Sequence, residues 1–191
     1  MKVKKIGALC RSMGVCILYD EVSDDGEIRR QWISNGNALW PVSGLPMLEK
    51  DNLSTLFDFS ENQVKEMLID EKELPEWLCE ITHDDEREAT MLESPLRIRA
   101  DGRELMPLYD GPNVIWLNAA YLAPCWTKQT RLVARSTTEG KAVAVLDGLF
   151  LCGIILPAAT STEFFRELVR LGVSGTGPVV PTEEAEDEDE S

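Results

Sequence analysis

The chain contains one histidine, His83. Chemistry that needs two imidazoles is therefore excluded, and a Ser-His-Asp arrangement would have to be built on this residue. His83 lies in "ITHDDERE", followed by Asp84, Asp85 and Glu86. Consecutive residues on a polar loop do not form a preformed cation cage, so the stretch reads as solvated loop, with no metal and no cofactor expected. Five cysteines (Cys10, Cys16, Cys79, Cys125 and Cys152) occur at scattered spacings without a Cys-x-x-Cys pair, which leaves zinc-ribbon and thioredoxin-type chemistry unsupported. Cys10 and Cys16 read as small buried hydrophobes. "SGTGP" lacks the Lys-Ser/Thr of a phosphate-binding loop and reads as a linker.

Carboxylates are abundant, but a catalytic pair must be held in a pocket, and no residue is singled out as catalytic. Asp70, Glu71, Glu73, Glu76, Glu80, Asp84, Asp85 and Glu86 are instead the candidate partner-binding residues. Arg97 and Arg99 alternate with Leu96, Ile98 and Ala100 in "PLRIRAD". They should share one strand face and form a candidate anion site.

The formal net charge is −15 over 191 residues. "EEAEDEDE", Glu183 to Glu190, holds 7 of these negatives, leaving −8 on the rest. A second block from Glu61 to Glu93 sets 12 carboxylates against Lys65, Lys72 and Arg87. Such a surface repels nucleic-acid phosphates and attracts basic protein surfaces; wrapping of DNA by this chain is not expected. The five tryptophans (Trp32, Trp40, Trp77, Trp116 and Trp126) lack the basic surroundings of a base-stacking platform and are assigned mostly to the core.

The elements that would position these residues are read from turns and periodicity. "KKIGALC" and "VCILYDEV" read as two strands joined at "RSMG". Asp24-Asp25-Gly26 and Asn35-Gly36-Asn37 then mark hairpin turns. A helix is expected from an Asp51 cap, with Leu53, Leu56 and Phe57 on one face, and a second from Ser60, with Val64, Met67 and Leu68 together. Asp70 to Glu76 reads as a solvated helix face, and "LPEWLCEIT" as a further short turn after Pro75. Asp101-Gly102 should turn a strand into "RELMPLY", and Asn118 should cap a helix start. "KAVAVLDGLFLCGIILP" is the most apolar stretch, but Asp147-Gly148 divides it. It reads as a buried hairpin with a type I′ turn, too short on either side for a membrane span. Phe164, Phe165, Leu168 and Leu171 share a face of a short helix ending at Gly172.

From Trp116 to Pro157 the order of elements resembles the closing part of a DNA sliding-clamp domain: "NAAYLAPCW" as the helix, then "TRLVARS", "KAVAVLD" and "LFLCGIILP" as strands. The likeness spans about 40 residues and implies a clamp-like sheet topology. A clamp's bore is lined with lysine and arginine, whereas Asp51 to Glu80 is acidic here, so no bore and no functional residue follow from it. In size and charge alone the chain is similar to phage-borne inhibitors of host defence such as anti-CRISPR proteins.

The expected fold is thus α+β, mostly antiparallel sheet with a few helices: one domain over 1–172, with an acidic helical insert at about 51–93 and a flexible linker and disordered acidic tail at 173–191. No signal peptide is read, and reduced cysteines suit a cytoplasmic setting. The expected function is a non-enzymatic interaction protein that binds a basic, nucleic-acid-binding protein surface such as a nuclease, as a phage or mobile-element inhibitor of a CRISPR-type effector would. A clamp-like replication or recombination factor and an enzyme with a carboxylate/arginine site are the alternatives.

Overall fold

The computed structural model describes residues 2–83, 89–94, 96–100, 102–111 and 113–159. Asp84, Asp85, Glu86, the 164–171 helix, the linker and the acidic tail lie outside the described residues.

The fold is α+β. It begins with a correction: Val3–Met13 is a helix, α1, where a strand was expected. Ile6 and Cys10, one turn apart, are buried on one side, and Gly14 ends the helix at φ 67 with its N–H on the Arg11 carbonyl. That left-handed glycine is a helix stop; without a side-chain cap at the other end, "RSMG" reads equally well as a hairpin turn. β1 (Val15–Val22), β2 (Ile28–Ser34) and β3 (Ala38–Pro41) then form the expected antiparallel meander. Asn35 secures the second turn, its Oδ1 accepting from the N–H of Asn37 and of Ala38.

α2 (Lys50–Phe57) is capped at Glu49, two residues ahead of the expected Asp51 cap, and buries Leu53 and Phe57. It approaches α1 so closely that a Cβ on Gly7 would lie 2.7 Å from Phe57 Cδ1. α3 (Glu61–Glu66) has the expected Ser60 cap, the hydroxyl accepting from Gln63 N–H. It is shorter than the periodicity suggested. Leu68–Glu73 forms β4, parallel to β1, so the helix expected to carry Asp70 to Glu73 is an edge strand. The pairing begins at Leu68 N–H on Gly14 O (2.8 Å) and closes at Leu74 N–H on Asp20 O (2.8 Å). A row of open β1 backbone groups overrides the helix propensity of "DEKE". α4 (Glu76–Cys79) is the short turn after Pro75.

β5 (Leu92–Glu93), β6 (Ile98–Ala100), β7 (Arg103–Asp110) and β8 (Asn113–Asn118) build a small antiparallel sheet in which β7 pairs with the other three. Asn118 caps a 3-10 turn at Ala119–Leu122, its Oδ1 accepting from Ala120 N–H. β9 (Thr130–Thr137), β10 (Gly140–Asp147) and β11 (Phe150–Ile155) complete the main sheet in the order β4-β1-β2-β3-β11-β10-β9. The apolar hairpin is there, but Asp147 pairs with Phe150, so its loop residues are Gly148 and Leu149. Gly148 has φ 62 and Leu149 is on the normal side, the pattern of a type II′ rather than a type I′ turn.

One core lies between the main sheet and the layer of α1, α2 and the small sheet, with Leu18, Ile33, Trp40 and Val145 meeting Ile6, Leu53, Met106 and Leu117. A second core on the opposite face sets Trp32, Val133, Leu146 and Ile154 against Leu74, Leu78 and Ile81. Arg135, only 3% exposed, fastens this cover: its guanidinium donates to the Ile81 carbonyl at 2.6 Å and the His83 carbonyl at 2.7 Å. No helix among the described residues is long and apolar enough to cross a membrane.

Candidate interaction surfaces

The acidic residues expected to bind a partner collect at one border of the main sheet. β4 is its outermost strand, and alternation sends Glu71 and Glu73 to one face and Asp70 to the other. Glu76 and Glu80 follow on and just after α4, and all of these except the half-buried Asp70 are exposed. The structure thus places Asp70, Glu71, Glu73, Glu76 and Glu80 along one border of the sheet, on both of its faces. Two lysines temper the patch: Lys72 lies 3.1 Å and Lys50 3.7 Å from Asp70 carboxylate oxygens. The Lys72 hydrogen bond, then the Glu71 N–H, hold the Asp70 carboxyl below its ordinary range. Glu71 accepts from the Lys50 backbone N–H at 2.7 Å, at the start of α2.

Cys79, exposed beside this border, registers the local field. Its thiol is raised first by desolvation and then by Glu21, with smaller contributions from Glu73 and Glu76. An acidic surround makes it a poorer nucleophile, because the thiolate is the reactive form. Cys10 and Cys125 are poor nucleophiles as well. Hydrogen bonding to Cys16, and then burial, push Cys10 far up. Burial pushes Cys125 up to about 12, and its Sγ donates to Cys152 O at 2.7 Å. His83 is exposed, with Nδ1 3.0 Å from Glu80 O. Among the described residues no three His, Cys, Asp or Glu side chains group as metal ligands.

The arginine pair is placed as alternation required. Leu96, Ile98 and Ala100 pack on Leu105 and Trp116, while Arg97 and Arg99 are exposed on the other side. Arg97 donates through Nη1 to the carbonyls of Ser94 (2.7 Å) and Leu96 (2.9 Å). Arg99 stands opposite Glu104 across the β6–β7 ladder. The acidic helices do not face this pair; α1 does. One hollow of about 810 Å³ lies between α1 and the hairpin, bordered by Arg99, Arg103, Glu104 and Tyr121. A second, of about 440 Å³, is bordered by Lys2, Lys5, Arg97, Glu104 and Trp126. Glu104 borders both, so the two form one groove with five cations around one carboxylate.

Lys2 and Trp126 also border a third hollow of about 410 Å³, with Arg30, Asp147, Phe150 and Cys152. Cys152 sits where β11 bulges: Val145 faces Gly153 and Leu146 faces Leu151, leaving one unpaired residue between. The sequence reading missed this basic and aromatic side of the molecule. Only the short "RIR" alternation signalled part of it, because Lys2 and Lys5 reach the site from the far end of the chain.

Comparison with protein-family models, with curated proteins and with solved structures finds no match to this chain.

Proposed function

We propose that this is a non-enzymatic, cytoplasmic interaction protein whose acidic border docks on a basic, nucleic-acid-binding surface of another protein, such as a nuclease. One observation carries the reading: Asp70, Glu71, Glu73, Glu76 and Glu80 lie along the outermost strand of the main sheet and the turn after it. A strand edge is a natural docking line, since its backbone groups are open and its side chains project to both sides. Carboxylates spaced along it can replace phosphates in a groove lined with arginine and lysine, and long-range attraction would speed the encounter.

CRISPR-type effectors are the first partners to test, given the similarity in size and charge to their phage-borne inhibitors. In an electrophoretic-shift competition, the full chain should prevent an effector from binding its target DNA at low salt. The effect should weaken as salt rises. Unimpeded DNA binding by every effector tried at low salt would remove the inhibitor reading.

A further inference from the structure

The groove at Glu104 is the counterpart of the acidic border, and neither core explains it. Lys2 and Lys5 come from the start of α1, and Arg97, Arg99 and Arg103 from the β6–β7 hairpin. Lys5 and Arg99 have no ion-pair partner among the described residues. Like charges gathered this way repel one another, and an anion between them relieves the repulsion. A long polyanion such as a nucleic-acid strand fits poorly, because beyond the groove it meets a body of strongly negative charge. A short anionic segment does not extend that far.

We propose that the groove seats the chain's own acidic segment, Glu183 to Glu190. Charge complementarity is the first argument, since 7 of these eight residues are carboxylates. The second is where the described chain ends. Ala158 N–H donates to Trp116 O at 2.7 Å, and Ala158 packs with Leu96, Ile98 and Ala100. The described chain therefore ends on the face of the strand opposite the one that presents Arg97 and Arg99. Glu183 follows Ala159 by 24 residues, a tether that reaches at most about 80 Å even when fully extended. Tethering at this distance gives an effective concentration on the order of millimolar. Weak, screened contacts then suffice for occupancy. With the segment seated, the basic patch is covered and the molecule presents an acidic exterior. The acidic border is not used, so this proposal stands or falls independently of the function proposed above.

The test is carbodiimide coupling of the full chain at low salt, followed by mass spectrometry of the monomer. Carboxylates of 183–190 should couple to Lys2 or Lys5. The yield should fall about fivefold or more between ~50 mM and ~500 mM salt, and by a similar factor in Arg97→Gln/Arg99→Gln, whose altered residues are exposed. Couplings spread evenly over Lys50, Lys128 and Lys141, or found only between chains, would overturn the proposal. A fluorescent oligothymidylate supplies the second arm. A chain with all seven tail carboxylates changed to amides should bind it more tightly than wild type. Equal binding by the two, abolished by Arg99→Gln, would make the groove a nucleic-acid site and overturn the assignment.

Discussion

Arg135→Leu is the perturbation that most directly tests how the acidic border is held. The guanidinium joins β9 to the segment after α4 through the Ile81 and His83 carbonyls. Leucine keeps the apolar stem but supplies no donor. Ile81 is 1% exposed, so its carbonyl would lose its partner away from water, at about 1–3 kcal/mol. The His83 carbonyl is nearer solvent and can be rehydrated, so its lost charge-assisted bond contributes only about 1 kcal/mol. The expected destabilisation is therefore about 2–4 kcal/mol, measured as a lower urea midpoint at unchanged slope. Hydrogen exchange locates the effect. The amides of Leu78, Ile81 and Thr82, bonded within the α4 segment, should lose protection first, while β10 and β11 exchange only on global unfolding. A midpoint within ~0.5 kcal/mol of wild type, with unchanged exchange at Ile81, would refute the argument that Arg135 fastens this cover.

Gly148→Val should lower stability by about 1–3 kcal/mol in a thermal melt, because φ 62 disfavours a β-branched residue. The fold should persist, since nothing lies within 4 Å of a Cβ there. The depressed Asp70 carboxyl contributes stability that is present above the ordinary aspartate range and lost as pH falls through its lower folded value. Its carboxyl resonance should titrate below that range in wild type and move back toward it in Lys72→Met or at high salt. In alkylation timed by mass spectrometry near neutral pH, Cys152 should label ahead of Cys125, whose thiol is held up to about 12 and is 8% exposed. Equal labelling rates would contradict the partly buried hydrogen bond from Cys125 to the Cys152 carbonyl.

Local signals carried most of the strand order. The turns at Asp24-Asp25-Gly26 and Asn35-Gly36-Asn37, the alternation around Arg97, the Asn118 cap and the β9–β11 run were legible because each depends on neighbouring residues. α1 was missed for a local reason too: Lys2 supplies no side-chain cap and the first turn has no acidic residue, so the helix lacks its usual start signals. The strand at Leu68–Glu73 could not be read locally. Its residues favour a helix, and only β1, more than fifty positions earlier, makes it a strand. The same applies to the basic groove. Arg97 and Arg99 were visible as a pair, but their meeting with Lys2 and Lys5 is a product of the tertiary fold.

The central claim, that the acidic border is the docking surface, is tested most directly by neutralising it. A full chain carrying Asp70→Asn, Glu71→Gln, Glu73→Gln, Glu76→Gln and Glu80→Gln changes side chains at the surface border and should retain the wild-type far-ultraviolet spectrum, with the melt lowered only by the lost Asp70 and Glu71 contributions. Against a partner inhibited by wild type, its potency in the DNA-binding competition should fall about tenfold or more, with a flatter salt dependence. A neutralised chain that folds normally and competes as well as wild type would contradict the account.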